Sequence, residues 1–191
     1  MARIFLTGGS GFVGSHVLPA LLAAGHDVVA LARTPKAAAT IAERNATYAA
    51  RLTTRIGDVT NPASLPAALV GCDAIVHLVA IPRDWNNGAD LLRINTAGTE
   101  AMIAAASAAG ITRFVHLGAL GVQDREELHY AKSKARAERA VRESSLDWTI
   151  IKPSLIWGER DGFFNIVAAL DRKSTRLNSS DTDISRKPSS A

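Results

Sequence analysis

The chain contains 191 residues, of which 47% are hydrophobic, and this length suits one well-buried domain. Its formal net charge of +4 is spread without a basic stripe carrying interleaved aromatic residues, which argues against nucleic acid as a partner. No run approaches the roughly 20 consecutive apolar residues of a membrane span, and no signal-type leader precedes the first apolar run. We therefore expect a cytoplasmic protein without a membrane span.

Short apolar runs alternate with longer amphipathic segments along the chain. Strands are predicted at 4–6, 27–32, 54–57, 74–79, 112–117 and 148–152. Helices are predicted at 11–24, 35–50, 89–109 and 126–144, with one more starting after 61. Alternation at this spacing predicts a parallel sheet with right-handed crossovers. The predicted fold class is therefore α/β, a doubly wound parallel sheet of the Rossmann type.

Two prolines lie at informative positions in these helices. Pro19 lies inside the first helix, where it removes one backbone hydrogen bond and should kink or loosen the first turns. Asn61 and Pro62 suit the N-cap and the first residue of the helix that follows the third strand.

Cysteine and histidine usage gives no metal signature and rules out an intrachain disulfide. Cys72 is the single cysteine, no paired histidines occur at ligand spacing, and Cys72 is expected to be a small buried residue. His77 and His116 lie inside apolar strands. We expect both to be core histidines with satisfied hydrogen bonds rather than catalysts.

A glycine-rich stretch between the first strand and the first helix is the feature that predicts a cofactor. Glycines in this setting allow a sharp turn, close approach of a pyrophosphate and close packing of the helix on the strand. The N–H groups at the start of the helix then face the phosphates. A merely structural turn is the alternative. The candidate cofactor-binding residues here are Thr7, Gly8, Gly9, Ser10, Gly11, Phe12, Val13 and Gly14.

The end of the second strand indicates which dinucleotide binds. An NAD-dependent protein usually has Asp or Glu there to bind the ribose 2′-hydroxyl, whereas this chain has Arg33, with Lys36 close behind. Both cations can pair with a 2′-phosphate, so NADP is preferred and NAD is possible. Arg33 could instead be a solvated charge. Asp58 could accept a hydrogen bond from the adenine amine or cap the following turn.

Tyr130 and Lys134 form the candidate catalytic pair. Their spacing of four places both side chains on one face of a helix. A nearby ammonium stabilises a phenolate, so we expect Lys134 to lower the pKa of Tyr130. Tyr130 could then exchange a proton with a carbonyl oxygen during hydride transfer, and Lys134 could also bind the nicotinamide ribose.

Several motifs together resemble the extended and atypical short-chain dehydrogenases/reductases, a group that includes NAD-dependent epimerases and dehydratases. They are the turn at 7–14, Asp58, the segments at 95–99, 130–134 and 148–154, and Gly158. The segment at 113–121 most resembles the branch of the complex I nucleotide-binding accessory subunit. The resemblance covers residues 2–170 and implies NAD(P) binding, with Tyr130 as acid/base, Lys134 as its partner and Asn95 as a structural or proton-relay residue. The remaining candidate cofactor-binding residues are Val59, Val79, Ala80 and Pro153.

Gly118 is the departure from the family pattern. Classical members end the fifth strand with a serine that hydrogen-bonds the substrate carbonyl, and losing one such donor typically costs about 10²- to 10³-fold in rate. The first hypothesis is an oxidoreductase or epimerase-like enzyme acting on a small carbonyl, alcohol or sugar-type substrate. The second is a non-catalytic NADP-binding redox sensor or a respiratory-complex assembly factor. The resemblance also suggests a homodimer or a complex I-type partner.

The composition changes abruptly after residue 170. Residues 171–191 are rich in Ser, Thr, Asn, Arg and Asp without apolar periodicity, so we expect a disordered tail. The segment at 171–180 resembles the translation of a sequencing-library adapter, which would make the tail non-native; an ordinary polar tail is the alternative. We expect a Rossmann domain at 1–170 whose C-terminal, substrate-binding part is largely missing.

Overall fold

The computed structural model describes residues 1–158 and residue 161, and within them it shows one sheet of six parallel strands. The strands are β1 (Arg3–Thr7), β2 (Asp27–Ala32), β3 (Leu52–Ile56), β4 (Ala74–His77), β5 (Arg113–Leu117) and β6 (Asp147–Ile151). They lie in the order β3-β2-β1-β4-β5-β6. The order reverses between β1 and β4, as in the doubly wound dinucleotide-binding fold, which confirms the predicted fold class.

Helices connect the strands. They are α1 (Gly14–Ala23), α2 (Pro35–Arg44), α3 (Leu65–Leu69), α4 (Ala89–Leu91), α5 (Gly98–Ala108) and α6 (His129–Glu143). Shorter 3₁₀ segments run over Ala46–Arg51 and Pro62–Ser64, and a π-helical segment, Leu92–Ala97, joins α4 to α5. The π-helical segment contains Asn95, one of the predicted site residues.

Several predicted helix boundaries are wrong. The first helix starts at Gly14 rather than at residue 11, because Gly11 N donates to Gly8 O and closes a turn there. Helix α2 ends at Arg44 rather than at residue 50, because the Asn45 side chain donates to Ile41 O at 2.8 Å and the chain continues as a 3₁₀ segment. Helix α6 starts three residues later than predicted, at His129.

Asn61 and Pro62 hold the predicted positions in a 3₁₀ segment rather than at the start of an α-helix. Asn61 makes no side-chain capping bond there. Pro19 lies inside α1, as predicted.

Neighbouring residues of each strand point to opposite sides of the sheet, and helices pack against both faces. On β1, Phe5 packs into a core with residues of α3, α5 and α6, whereas Leu6 packs into a second core with residues of α1 and α2. Cys72 is buried in the first core, as predicted. This two-sided burial leaves the carboxyl edge of the sheet as the place where loops and polar side chains gather.

The described residues fall into two units. The first, Met1–Ser154, contains the whole sheet and every predicted site residue, and the second starts at Leu155. In the second unit the Asp161 carboxylate accepts a hydrogen bond from Gly158 N at 3.1 Å. The predicted tail at 171–191 and the predicted domain end at residue 170 lie outside the described residues. Over residues 1–158 and 161, no helix combines the length and apolar character needed to cross a membrane.

Candidate functional site

The glycine-rich turn between β1 and α1 is built so tightly that one glycine has no room for a side chain. Gly8 has a φ of +75°, and Gly11 N donates to Gly8 O at 3.0 Å. A Cβ atom on Gly14 would lie 2.1 Å from Gly8 O and 2.7 Å from Gly9 Cα, both of them backbone atoms. The start of α1 is therefore pressed directly onto the turn, as close helix–strand packing in a dinucleotide site requires.

The rest of the turn leaves its backbone open on one side. Ser10 and Gly11 are exposed, while Phe12 and Val13 are half-buried. The Phe12 ring makes an edge-to-face contact with His16, with ring centroids 5.4 Å apart. The exposed turn residues Ser10 and Gly11, just before α1, can therefore approach an anionic group.

Arg33 and Lys36 lie just beyond the end of β2. Both are exposed, and neither makes an ion pair or a side-chain hydrogen bond with any residue that the structure describes. Between them, Thr34 caps α2 by accepting a hydrogen bond from Ala37 N at 3.1 Å. Arg33 therefore precedes the capped start of α2 and Lys36 lies in its first turn, and neither charge is paired with another described residue.

Asp58, after β3, caps a turn, which is one of the two roles predicted for it. Its Oδ1 atom accepts hydrogen bonds from Thr60 N at 2.8 Å and from the Thr60 hydroxyl at 2.9 Å. The neighbouring Val59 is buried, and its Cγ2 atom would lie 2.9 Å from a Cβ on Gly98. An adenine contact at Asp58 stays a prediction.

Thr7, at the end of β1, joins the ends of two strands through its buried hydroxyl. The Oγ1 atom accepts hydrogen bonds from Leu78 N at 3.1 Å and from Val79 N at 3.4 Å, and it lies 2.8 Å from His77 Nδ1. These bonds end β4 at His77, whereas the apolar run predicted a strand through residue 79. Ala80 follows as an exposed residue.

His77 carries this connection across to α5. Its Nε2 atom lies 3.1 Å from Thr99 Oγ1, and the Thr99 hydroxyl donates its proton to Asn95 O at 2.7 Å. Thr99 must therefore accept from a protonated Nε2, which leaves Nδ1 to accept from Thr7. Burial, assisted by the charge of Lys134, lowers the pKa of His77 to about 3, so the ring is neutral. His77 is a satisfied core histidine, as predicted.

His116 is the exception to that prediction. Its ring stacks on that of His77 with centroids 5.7 Å apart, and it is only 1% exposed. Neither ring nitrogen has a hydrogen-bond partner in the described part of the chain. Burial, with smaller contributions from His77 and Lys134, lowers the pKa of His116 to about 2. The expectation of a satisfied histidine is therefore wrong at this position.

Asn95 lies in the π-helical segment and ties two parts of the site together. Its Oδ1 accepts from Ile81 N at 2.8 Å, and its Nδ2 donates to Ile81 O and to Ser133 Oγ, both at 3.0 Å. Ser133 in turn donates to Tyr130 O at 2.8 Å. All of the amide's hydrogens are used, so Asn95 positions both the loop after β4 and the first turn of α6. Local π-helical widening is common at functional sites.

Tyr130 and Lys134 lie one turn apart on α6 but at different depths. Tyr130 is 37% exposed, whereas Lys134 is 2% exposed and its ammonium donates to Leu117 O at the end of β5. Burial lowers the pKa of Lys134 to about 8 against the opposing charge of Glu138. Burial raises the pKa of Tyr130. The expected lowering of the phenol pKa by Lys134 is therefore wrong for this geometry.

Gly118 places no side chain at the end of β5. Its N–H donates to Ile151 O at 2.8 Å, and a Cβ atom there would lie 3.1 Å from Ile150 Cγ2. Beyond β6, Pro153 is half-buried and its carbonyl accepts from Leu120 N at 2.8 Å. At this position the short-chain dehydrogenases/reductases usually have a serine. Gly118 supplies no side-chain donor there, and the Ile150 side chain leaves little room for one.

The predicted residues thus gather along one edge of the sheet in two groups. The group after β2 and β3 holds Arg33, Lys36 and Asp58, and the group after β4 and β5 holds Asn95, Tyr130 and Lys134. Three strand spacings of about 4.8 Å separate β2 from β5, a span of about 14 Å. Sequence reasoning missed Thr99 and Ser133 as bridging residues; the spacing of four between Asn95 and Thr99 is the signal that points to the first.

A model of the family described as NAD(P)H-binding matches residues 8–187 of the chain. The chain belongs to this NAD(P)H-binding family. Two curated relatives are 31% identical to it. One is a 4-hydroxy-2-methyl-3-oxo-4-farnesyl-3,4-dihydroquinoline-1-oxide ketoreductase of Stigmatella aurantiaca, matched over 85% of this chain and 52% of the relative. The other is a 3-beta-hydroxysteroid dehydrogenase of Mycolicibacterium neoaurum, matched over 84% of this chain and 49% of the relative.

Among solved structures, a Bacillus halodurans protein described as an NAD-dependent epimerase/dehydratase is similar with a TM-score of 0.71 and 25% identity. The match covers 85% of this chain and 74% of that one. These comparisons support the resemblance of this NAD(P)H-binding chain to the short-chain dehydrogenases/reductases. They do not confirm the finer resemblance to the branch of the complex I accessory subunit. The chain spans about half the length of the curated relatives it matches.

Proposed function

We propose that this chain is the cofactor-binding part of an NADP-dependent oxidoreductase that reduces a carbonyl compound. The observation that carries the proposal is the turn before α1, where backbone atoms exclude any side chain at Gly14 while Ser10 and Gly11 are exposed. A helix start of this kind binds a pyrophosphate through its N–H groups and its dipole. The residues present therefore fit a dinucleotide, with Thr7 to Gly14 at its phosphates.

Arg33 and Lys36 support NADP rather than NAD. Arg33 follows β2 and Lys36 lies in the first turn of α2, and neither side chain is paired with another residue that the structure describes; the adenosine ribose of a dinucleotide binds in this part of the fold. We expect Arg33→Ala to weaken NADPH binding about 10- to 100-fold while leaving NADH binding unchanged, because only NADPH carries the 2′-phosphate. Arg44→Ala, at the other end of α2, is the matched control. Calorimetry that shows equal losses for both dinucleotides would contradict the preference.

The pKa shifts of Tyr130 and Lys134 favour reduction of a carbonyl over oxidation of an alcohol. Bound NADPH would supply the hydride. Since burial raises the pKa of Tyr130, its phenol is protonated at neutral pH and can donate a proton to the carbonyl oxygen. With a pKa of about 8, Lys134 is largely protonated at pH 7, and its ammonium, anchored on Leu117 O, places a positive charge at the end of β5. Val59, Val79, Ala80 and Pro153 line the neighbouring loops as further proposed cofactor contacts.

Turnover by Tyr130 and Gly118 variants tests this chemistry. Tyr130→Phe should abolish NADPH oxidation with a carbonyl panel and leave NADPH affinity intact, because it removes only the donated proton. Gly118→Ser should raise the rate by restoring a donor at the reacting oxygen. Its Cβ meets Ile150 Cγ2, so the rise should be larger in the Ile150→Leu background, which removes that methyl group at nearly constant volume. Equal rates for Tyr130→Phe and the parent would exclude the acid role.

A non-catalytic NADP-binding sensor or complex I-type assembly factor is the alternative, and Gly118 is the observation behind it. The two curated relatives carry the names of a ketoreductase and a dehydrogenase, which favours the enzyme. Tight NADPH binding without turnover of any carbonyl would instead support the alternative. The names of the relatives refer to a farnesylated quinoline and a hydroxysteroid, so the panel should include large apolar ketones as well as sugar-type compounds.

A further inference from the structure

The loop between β4 and α4 presents a tryptophan to solvent from a firmly held base. Trp85 is 94% exposed. The carboxylate of the preceding residue, Asp84, accepts backbone hydrogen bonds from Gly88 at 3.1 Å, Asp90 at 2.8 Å and Leu91 at 3.1 Å. One side chain therefore fastens the loop onto the start of α4 while the adjacent indole stays uncovered.

The same loop is pressed against the helix that carries Tyr130. Gly88 has a φ of +85°, and a Cβ atom there would lie 2.6 Å from the Nδ1 atom of His129. His129 is the first residue of α6 and directly precedes Tyr130. Trp85 is three residues from Gly88, so their Cα atoms are at most about 11 Å apart. The loop that bears the indole therefore packs against the residue that precedes the proposed proton donor.

Exposed apolar side chains also lie on the loop that follows the neighbouring strand, β5. Leu120 and Leu128, in the segment between β5 and α6, are exposed. Strands β4 and β5 are paired neighbours, so both loops leave the same part of the carboxyl edge. We call Trp85, Leu120 and Leu128 the apolar rim. In open α/β sheets, ligands bind beyond this edge, and an uncovered aromatic surface there provides a face on which a ligand can stack.

We propose that Trp85 is a specificity-determining residue that selects ketones bearing a planar apolar group, whose face stacks on the indole while the carbonyl reaches Tyr130. This inference rests on the proposed oxidoreductase function and adds the substrate class to it. The close packing of Gly88 on His129 favours a substrate over other occupants, because it holds the loop that bears Trp85 against the residue preceding Tyr130. If another part of a longer chain covers Trp85 instead, Trp85→Ala will leave the affinity for such ketones unchanged.

The test compares the parent protein with Trp85→Ala, Trp85→Phe and Val70→Ala. Val70 is also exposed, but it precedes β4 and so lies at the opposite edge of the sheet. Binding of acetonaphthone, a planar apolar ketone, and of hydroxyacetone, a small polar one, is measured by calorimetry with NADP⁺ present, so that no turnover occurs. Because Trp85 is exposed, circular dichroism should show an unchanged fold in all variants.

We expect Trp85→Ala to weaken acetonaphthone binding about tenfold, Trp85→Phe to retain most of the affinity, and Val70→Ala to match the parent. Hydroxyacetone binding should not change. Unchanged acetonaphthone affinity in Trp85→Ala, as expected if Trp85 instead packs against another part of a longer chain, would overturn the inference, and so would a loss of NADP⁺ affinity. A separate NADPH titration reports on the proposed function. The acetonaphthone titration is repeated without cofactor, so Trp85 is tested even if that function fails.

Discussion

The two stacked histidines allow a matched test of the buried hydrogen-bond network. His77 and His116 are both buried and their rings stack, but among the described residues only His77 has hydrogen-bond partners, Thr7 and Thr99. His77→Leu would strand the Thr7 hydroxyl proton and an acceptor site on Thr99. Leaving buried polar groups unpaired costs about 1–3 kcal/mol each, and both hydroxyls keep their other hydrogen bonds, so we expect a loss near the lower end for two groups, about 2–3 kcal/mol.

His116→Leu should behave in the opposite way. It removes two buried ring nitrogens that have no partner among the described residues, so the free energy of unfolding should stay the same or rise by about 1 kcal/mol. The two variants should therefore differ by about 3 kcal/mol. In urea unfolding followed by circular dichroism at pH 7.5, this corresponds to midpoints about 1.5 M apart for an m-value near 2 kcal/mol/M.

A double-variant cycle adds a second check. Thr7→Val and His77→Leu remove the same bond, so the combined loss should be smaller than the sum of the single losses. The network as assigned would be refuted if His77→Leu cost no more than His116→Leu, or if Thr7→Val and His77→Leu were additive.

Two further predictions concern pH and the glycine-rich turn. The folded-state pKa values of His77 and His116, about 3 and about 2, lie below that of an unfolded histidine, so the unfolded state binds more protons as the pH falls below about 6.5. The contribution of the two histidines to stability should thus be complete above that pH and should drop by about 2 kcal/mol per histidine at about pH 5, with half the slope in His116→Leu; a flat profile below pH 6.5 would contradict the burial of both rings. Gly14→Ala should abolish NADPH binding and lower the melting temperature sharply, whereas Gly11→Ala, whose Cβ would lie 3.3 Å from Gly8 O, should be milder; similar melting temperatures for the two would contradict the close packing at Gly14.

The fold could be predicted from the sequence because its signals are local. Apolar runs of strand length, separated by amphipathic segments, placed all six strands in the right order along the chain, and Gly14 marked the tight packing of α1. Element ends were less predictable, because they depend on partners far along the chain. Strand β4 stops at His77 because a hydroxyl on β1, at Thr7, takes the next two backbone N–H groups.

The sequence could place the candidate site residues on shared elements, but it could not predict how deeply each side chain is buried. A spacing of four placed Tyr130 and Lys134 on one helix face, yet it carried no information on how far each lies from water. The burial of Lys134 follows from the packing of α6 on the sheet, where Leu117 O supplies its partner. The unpaired state of His116 could not be predicted for the same reason, since it depends on which groups the neighbouring strand and helices bring near.

The two tight glycines of the site differ in how substitution could be accommodated. At Gly14 the obstruction is main chain, the Gly8 carbonyl, which every amino acid at position 8 would also possess. No second substitution can therefore make room, and the position is closed to sequence change. At Gly118 the nearest obstacle is one methyl group of Ile150, which an exchange elsewhere can remove. Divergence of related chains should accordingly leave the first glycine untouched and let the second alternate with serine, in step with the residue at position 150.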